Sequence, residues 1–503
     1  MARKAACLPQ GTRISDFVTL GVLTATVPGE LIDGVLADTG RQSRRYRQLP
    51  ARLVVYYVMA LALYAQASYG EVLRCLLEGL RWLRLKGLDP ASVSKSAITK
   101  ARIRLGIAPL KELFERVAQP LAEPGLAGAW YRGRRLVSLD GTTIDLPDEP
   151  DLEQRFGRPA ASRGASSFPQ VRLLALMETG THAIFAAAIG RYDTSEVQLA
   201  PVLLERLRSG MLCLADRAFV GFALWRMATA AGADLLWRVR SNQILPCHGR
   251  LADGSYLSRL YPSPTHRRRD DGGSPVRVIE YRLDGIPDAE PLYRLITTLL
   301  DPAEAPAAEL AALYHERWED ENAFAELKVT LPGKRLMLRS HRADLAEQEL
   351  YALLLVHLAL RRLMVEASRK AGCDPDTLSF IHAVRVVRRH LPFHAAFSPS
   401  PASAHDGGHP DRDRRGARRT QPRPAQSAGR QAQDEQLPDP EPVRRQHRPV
   451  PALPLRRAHR HRRAARTDRP RDAGAQTSDS HGQPARADQP PNLLAGPCSI
   501  MAG

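Results

Sequence analysis

MLCLADRAF, residues 211–219, sets five apolar residues in a row and then an aspartate. Such a run reads as a strand buried on both faces, as in the middle of a sheet covered by helices. The charge of Asp216 emerges where that strand ends, and strand ends are where α/β folds assemble their sites. Taken alone, Asp216 could equally cap a following helix, so its meaning depends on its surroundings.

Working outward, short runs rich in Val, Leu and Ile recur: RRLVSLDGTTIDL (134–146), VRLLALMETG (171–180), HAIFAAAIG (182–190) and DLLWRVRSN (234–242). Glu178-Thr-Gly-Thr181 supplies a hairpin turn between two of them. Helical periodicity fills Val197–Arg208 and Phe222–Ala231. Strands first, then strand alternating with helix, predict an α/β fold with a mixed sheet and flanking helices. Residues 241–290 interrupt the scheme with turn-rich, strand-like pieces and the basic cluster Arg267–Arg269, and read as a β-rich insertion. Tyr293–Asp301 then returns to the main sheet, followed by a helix over Ala307–Lys328 and a leucine-rich helix over Leu345–Glu366.

Two further acids stand out. In SLDGTT an apolar strand delivers Asp140 into a Gly-Thr turn; Asp145 has opposite parity on a continuous strand and would face away from it, and Asp148 lies close by. By itself a turn-forming Asp before Gly is common. The stretch YHERWEDENAFAELK (314–328) is more distinctive. At ~100° per residue, Tyr314, Arg317, Glu321 and Lys328 share a sector of about 60° on one helix face. Leu313, Phe324 and Leu327 form the neighbouring apolar stripe, while Glu316, Glu319, Asp320 and Glu326 point away. A surface helix laced with ion pairs is the plain alternative. Together, Asp140, Asp216 and Glu321 supply oxygen ligands suited to hard divalent cations. Mg²⁺ or Mn²⁺ is expected, as two ions serving phosphodiester chemistry.

The formal charge of +18 points to an acidic partner, with DNA the usual one. Residues 1–127 read as helical. Within them SVSKSAITKARIRLG (92–106) forms a capped helix carrying Lys95, Lys100, Arg102 and Arg104, like charges that suit a recognition helix in a major groove; the alternative is a solvated basic face. The six cysteines are scattered without a Cys-x-x-Cys pair, which suits a reducing cytoplasm. MARKAACLPQGTR lacks the apolar core of a signal peptide. The apolar stretch 53–67 is too short to span a bilayer, and 345–365 carries Glu347, Glu349, His357, Arg361 and Arg362; both read as buried helices, with no membrane partner. From Ser398 on there are 16 prolines and 19 arginines against 11 acids, without Phe, Tyr, Trp or Lys. This 398–503 tail cannot bury enough apolar surface to fold and is expected to be disordered. It reads as a product of frameshifted translation, or else as a basic arm that binds DNA without sequence preference.

SLDGTT, LADRAF and the Tyr-x2-Arg-x3-Glu-x6-Lys pattern at 314–328 resemble the insertion sequence 4 family of DDE transposases. RRYRQLPARLVVYYVMALALY (44–64) is similar to that family's N-terminal domain, and Phe168-Pro-Gln-Val-Arg-Leu173 also fits. The resemblance implies a ribonuclease H-like catalytic domain over 128–397, with an insertion between the second Asp and the Glu. It implies Asp140, Asp216 and Glu321 as metal ligands, and Tyr314, Arg317 and Lys328 as contacts to DNA phosphates. The implied partners are double-stranded DNA, namely terminal inverted repeats and target, and a second copy of the chain in a synaptic dimer. The implied setting is the bacterial cytoplasm, at the nucleoid. Trp318 and Trp237 are candidates for stacking on an extruded base. The expected activity is cut-and-paste strand cleavage and transfer; a non-catalytic DNA-binding remnant or repressor is the alternative.

Overall fold

Among the described residues, six helices come first: α1 (Leu20–Thr26), α2 (Gly29–Asp38), α3 (Ala51–Leu63), α4 (Tyr69–Leu80), α5 (Lys95–Leu105) and α6 (Ala108–Val117). The structure is a computed structural model and describes residues 20–45, 49–80, 93–160, 168–283, 290–316, 319–333 and 335–389. The tail expected to be disordered lies outside these residues. α3 is apolar on every side and correspondingly buried from Leu53 to Leu63, as a helix without a polar face must be.

A short strand β1 (Trp130–Tyr131) pairs with β2 (Arg134–Asp145). After α7 (Pro150–Phe156) come β3 (Gln170–Glu178), a 3₁₀ turn at Thr179–Thr181 and β4 (Ala183–Arg191). Next are α8 (Glu196–Leu204), β5 (Met211–Ala215), α9 (Phe222–Ala230) and β6 (Asp234–Arg238). The insertion contributes β7 (Gly249–Arg250), β8 (Tyr256–Leu260), α10 (Pro264–Arg269) and β9 (Ser274–Tyr281), before β10 (Tyr293–Thr297). The sheet runs β4-β3-β2-β5-β6-β10-β9-β8-β7. β2, β3 and β4 are antiparallel neighbours, while β5 and β6 run parallel to β2 on its other side. That is the ribonuclease H-like order. The insertion differs from expectation in one respect. Instead of standing apart, its strands continue the same sheet through β10, which pairs antiparallel with both β6 and β9.

The hairpin at Glu178–Thr181 closes as expected, and the reason for its glycine is a close approach. A Cβ on Gly180 would lie 2.5 Å from the backbone nitrogen of Ala129. Glu178 is fully buried beneath it and accepts hydrogen bonds from the Leu121 and Ala122 amides, both at 2.8 Å, which ties the connection after α6 to the sheet.

The last helices are α11 (Ala307–Glu316), α12 (Glu319–Ala325), a π-helical turn at Glu326–Thr330, α13 (Ala343–Ala371), a 3₁₀ turn at Pro375–Thr377 and α14 (Phe380–Arg389). α13 packs against α3, α1 and α6 on one side and β4 on another, so helices from both ends of the chain share one apolar core with β2, β3 and β4. No helix among the described residues is long and apolar enough to cross a membrane.

Arg102 corrects one expectation. It faces inward, almost fully buried, donating to Gln348 Oε1 at 2.9 Å, Ser340 Oγ at 3.0 Å and the Leu345 carbonyl at 2.9 Å. Its neighbours Ile98, Ala101 and Leu105 are buried as well, so Arg102 belongs to the packed side of α5 and leaves the DNA-facing set. Lys95, Lys100 and Arg104 remain exposed. Arg102→Ala should therefore cost about 3 kcal/mol of folding stability in urea titrations, since it strands buried acceptors. DNA affinity of the folded variant should stay at the wild-type value.

Candidate active site

On β2 the even-numbered side chains follow a telling order. Leu136 belongs to one apolar cluster, with Leu212, Leu214 and the α11 residues Leu310, Leu313 and Tyr314. Ile144 belongs to the larger cluster shared with Ala323, Phe324, Leu327 and α13. Between them lie Ser138, Asp140 and Thr142, so one face of the sheet carries a polar gap between two apolar regions. Strand alternation places Asp140 in that gap. The odd residues Val137 and Leu139 face the other side and pack with Cys213, Ala215 and the α8 and α9 helices.

The β2–β5 register explains why two acids meet there. Parallel pairing runs from Arg135 with Met211 to Leu139 with Ala215, and the next positions are Asp140 and Asp216. β5 ends at Ala215, whereas β2 continues. Asp140 does not enter a turn, as the Gly-Thr sequence suggested: Gly141–Asp145 stay in strand because β3 continues to pair with them. The carboxylates are thus brought abreast by neighbouring strands, roughly 4.8 Å apart at the backbone, where one strand has run out. Each takes an adjacent amide, Gly141 N to Asp140 Oδ1 at 2.9 Å and Arg217 N to Asp216 Oδ1 at 2.6 Å.

On the same face, α11 packs into one apolar cluster, and α12 with the π-helical turn after it packs into the other. Tyr314 donates its hydroxyl to the carbonyl of Ala215, the residue before Asp216, at 3.3 Å. Lys328 donates to Thr142 Oγ1, two residues past Asp140, at 2.9 Å. Glu321 lies midway in sequence between these anchors, within α12, which packs against β2. Its side chain, and Arg317 and Trp318 entirely, lie outside the described residues. The insertion fixes where the helix begins. Buried Arg277 of β9 pairs with Asp253, and Asp253 Oδ2 accepts the amide of Ala307, the first residue of α11, at 2.9 Å.

The neighbouring acids sort themselves out. Asp145 accepts from Gln170 Nε2 at 2.8 Å and pairs with Arg335 at 2.6 Å, and Asp148 pairs with Arg158. Glu326 turns into a buried cluster on α13. A residue that pattern reasoning missed is Glu196, at the start of α8. The Ser195–Gln198 capping box sets where that helix begins. Glu196 packs over Gly141 on the opposite side of the sheet from Asp140 and accepts from Arg172 at 3.1 Å. Burial raises its carboxyl above the usual range, Arg172 opposes the rise, and Asp140 and Asp216 add to it. A Cβ on Gly141 would lie 2.4 Å from Glu196 Oε1, so the glycine leaves room for that carboxylate beside Asp140.

Cations ring the gap. Lys328 has its pKa lowered by burial and by Arg335. Arg238, at the end of β6, pairs with Glu290 at 2.5 Å and feels both Tyr314 and Asp216. Trp237, one of the two candidate stacking residues, is corrected: it is fully buried, edge-on to Trp225 at 5.3 Å, and cannot receive an extruded base. The donor chemistry fits a hard divalent cation, since Asp140 and Asp216 offer carboxylate oxygens from neighbouring strand ends.

The matching family models agree with this architecture. Residues 17–115 match the family model for the insertion element 4 transposase N-terminal region, and residues 131–359 match the transposase DDE domain. The chain belongs to the insertion sequence 4 family of DDE transposases. It is similar to the Escherichia coli transposase InsG for insertion sequence element IS4, at 30% identity over 366 residues, 72% of this chain and 80% of that protein. It is also similar to the E. coli putative transposase InsZ, at 29% identity over 216 residues, 42% of this chain and 68% of that protein. A solved piggyBac transposase synaptic complex with hairpin DNA aligns at TM-score 0.40 and 12% identity, covering 75% of this chain and 81% of that one.

Gly141→Ala should destabilise the fold by about 1–2 kcal/mol by pushing Glu196 off Arg172. Glu196→Ala in the same chain should recover most of that loss, a coupling that a denaturation double-mutant cycle reads directly.

Proposed function

We propose that this transposase binds the terminal inverted repeats of its own element, pairs them as a dimer, cuts the DNA and joins the ends to a target. What carries the reading is the placement of Asp140 and Asp216 abreast at the uneven end of the β2–β5 ladder. They lie on the face against which α11, α12 and the π-helical turn pack, with Tyr314 and Lys328 as anchors. Asp140, Asp216 and Glu321 would hold divalent metal, Mg²⁺ or Mn²⁺, as a pair of ions. When bound, such ions supply Lewis-acid activation of the attacking oxygen and charge stabilisation of the leaving oxygen in an in-line phosphodiester exchange.

The chain's own residues do the rest. Lys328, held half-buried beside Thr142, offers a fixed positive charge to a phosphate next to the cleaved bond, and Arg317 of the same sequence signature would add a second. Tyr314, by contrast, is buried with its hydroxyl on the Ala215 carbonyl and anchors the segment instead of touching DNA. Arg238 stands across the gap near Asp216 and adds to the field that draws a polyanion in. The apolar clusters on both sides keep the helix from tilting, so the acids stay aligned as DNA enters. Fixing the reacting groups in advance is worth more than raw affinity for the substrate.

DNA would be held further out by the N-terminal helices. The exposed Lys95, Lys100 and Arg104 lie along α5, and Arg104 shares a cleft with Arg41 and Arg44 that no acid lines among the described residues. Contacts of this type grip phosphates and fix register without reading bases.

Asp216→Asn should reduce Mg²⁺-dependent nicking of a repeat-bearing duplex by at least about 10³-fold while leaving its gel shift intact. Undiminished nicking would remove Asp216 from the site, and a wild-type chain that shifts DNA but never cuts would favour a repressor. Replacing Lys95, Lys100 and Arg104 together with Ala should flatten the slope of log affinity against log salt by roughly 2–3, about 0.9 per lost phosphate contact. The effect should be alike on repeat and unrelated duplexes; an unchanged slope would take α5 off the DNA.

A further inference from the structure

Glu326 lies five residues after Glu321 and two before Lys328, in the π-helical turn that ends the signature segment. Its carboxylate is buried and gripped by three side chains from two separate parts of the fold. Arg361 of α13 donates to it through both Nε, at 2.9 Å, and Nη2. His357 of α13 approaches Oε2 with Nε2 at 3.1 Å, and His182 from the β3–β4 connection approaches Oε1 with Nδ1 at 3.5 Å. Behind His182, Asp376 of the Pro375–Thr377 turn lies 3.5 Å from Nε2. Arg361 and His357 are buried, and Arg361 also covers the Phe380 ring of α14 at 5.4 Å.

A lone carboxylate in such a place would be strongly disfavoured, and truncating a buried ion pair leaves an uncompensated charge. Here burial opposes ionisation, yet the hydrogen bonds from the two histidines and the charge of Arg361 bring Glu326 down to about 2. His357, in turn, is driven below the ordinary histidine range by burial. The burial of the carboxylate is thus answered by partners on α13 and on the β3–β4 connection, and the cluster forms a fixed grip.

Its position relative to the gap gives it a role. Residues two apart on a helix point to roughly opposite sides. Glu326 accordingly reaches α13 while Lys328 reaches Thr142 of β2, so the segment is pinned from two sides just past Glu321. Widened turns of this kind recur at functional sites, because they redirect a side chain without ending the helix. We infer that Glu326, clamped by Arg361, His357 and His182, is a positioning residue that sets the rotation and height of the Glu321 helix over Asp140 and Asp216. This rests on the proposed metal-binding role of that trio.

The test separates positioning from bulk stability by reading metal dependence. Wild-type, Glu326→Gln, Arg361→Lys and Glu321→Gln full-length chains are titrated with Mg²⁺ while nicking of a repeat duplex is followed, with duplex affinity and thermal melting measured alongside. Glu326→Gln keeps size and loses charge. Its half-saturating Mg²⁺ concentration should rise roughly 10-fold or more, in the range seen when groups supporting a metal ligand are removed, while duplex affinity stays within about twofold. A merely structural role would lower the active fraction without moving that midpoint, so a folded Glu326→Gln chain with the wild-type midpoint overturns the inference. Should Glu326→Gln not fold, Arg361→Lys decides by the same criterion, since it keeps the charge and loses the two-pronged grip. A wild-type chain that never cuts, or a Glu321→Gln chain that cuts normally, overturns the site reading and this inference together. Normal wild-type cutting, lost in Glu321→Gln but unshifted in Glu326→Gln, overturns the positioning role alone.

Discussion

The parallel ladder between β2 and β5 stops after Leu139 and Ala215 while β2 continues against β3. Every other part of the site can be understood from that uneven ending. Where β5 stops, the backbone at Asp140 and Asp216 loses a cross-strand partner on one side, and both positions fall on the same face by alternation. A helix can then cross over the end of the ladder, because no further β5 residue fills the space. The apolar clusters flanking the gap supply the adhesion, and Ser138, Asp140 and Thr142 supply the interruption. A chain with apolar residues at those three positions would close the two clusters into one and gain stability. The polar gap is therefore a feature kept at a cost to folding, which is what a functional site usually is.

Much of this was legible in the sequence. The strands around Asp140 and Asp216 were visible because a short, unbroken apolar run bounded by Gly and Asp fits little besides a strand covered on both faces. The spacing of Tyr314, Glu321 and Lys328 read as one helix, and the structure places them in α11, α12 and the π-helical turn. The succession of elements gave a mixed sheet with flanking helices, and its ribonuclease H-like order was implied by the family resemblance. What stayed hidden depended on distant partners. Arg102 looks on paper like its exposed neighbours Lys100 and Arg104, and only the arrival of Ser340 and of Gln348 on α13 makes it an interior residue. Trp237 looks available for stacking until the two faces of β6 are both covered. Glu196 falls in no recognisable pattern, because its closeness to the site comes through Gly141 from the far side of the sheet. The pairing of the inserted strands through β10 is a matter of sheet edges that local sequence does not specify.

Glu326 illustrates the limit more sharply. The helical wheel placed it away from the Tyr314–Lys328 sector, and it does point away. Yet a constant ~100° per residue cannot hold through a π-helical turn, where each residue advances less. The wheel therefore gives the side of the helix on which Glu326 lies, and misses what awaits it there.

The polar residues inside α13 raise the question of why so long a buried helix is not simply apolar. A 29-residue helix packed on several sides by Leu, Ala and Val would have similar contacts after sliding by one turn. Along α13, however, Gln348 donates to the carbonyls of Arg102 and Gly106, at 3.1 and 2.7 Å. Glu349 accepts from Ser340 Oγ at 2.7 Å, and His357 and Arg361 meet Glu326. Each of these groups would be buried without a partner after a slip of a single turn, a penalty of several kcal/mol that apolar packing alone would not impose. Buried polar groups of this kind specify register more than they add stability. Because α13 contacts the N-terminal helices at one end of this series and the signature segment at the other, fixing its register also fixes the distance between α5 and the carboxylates. On the proposed function, a constant distance there would let one part of the fold hold a DNA end while the other cuts it.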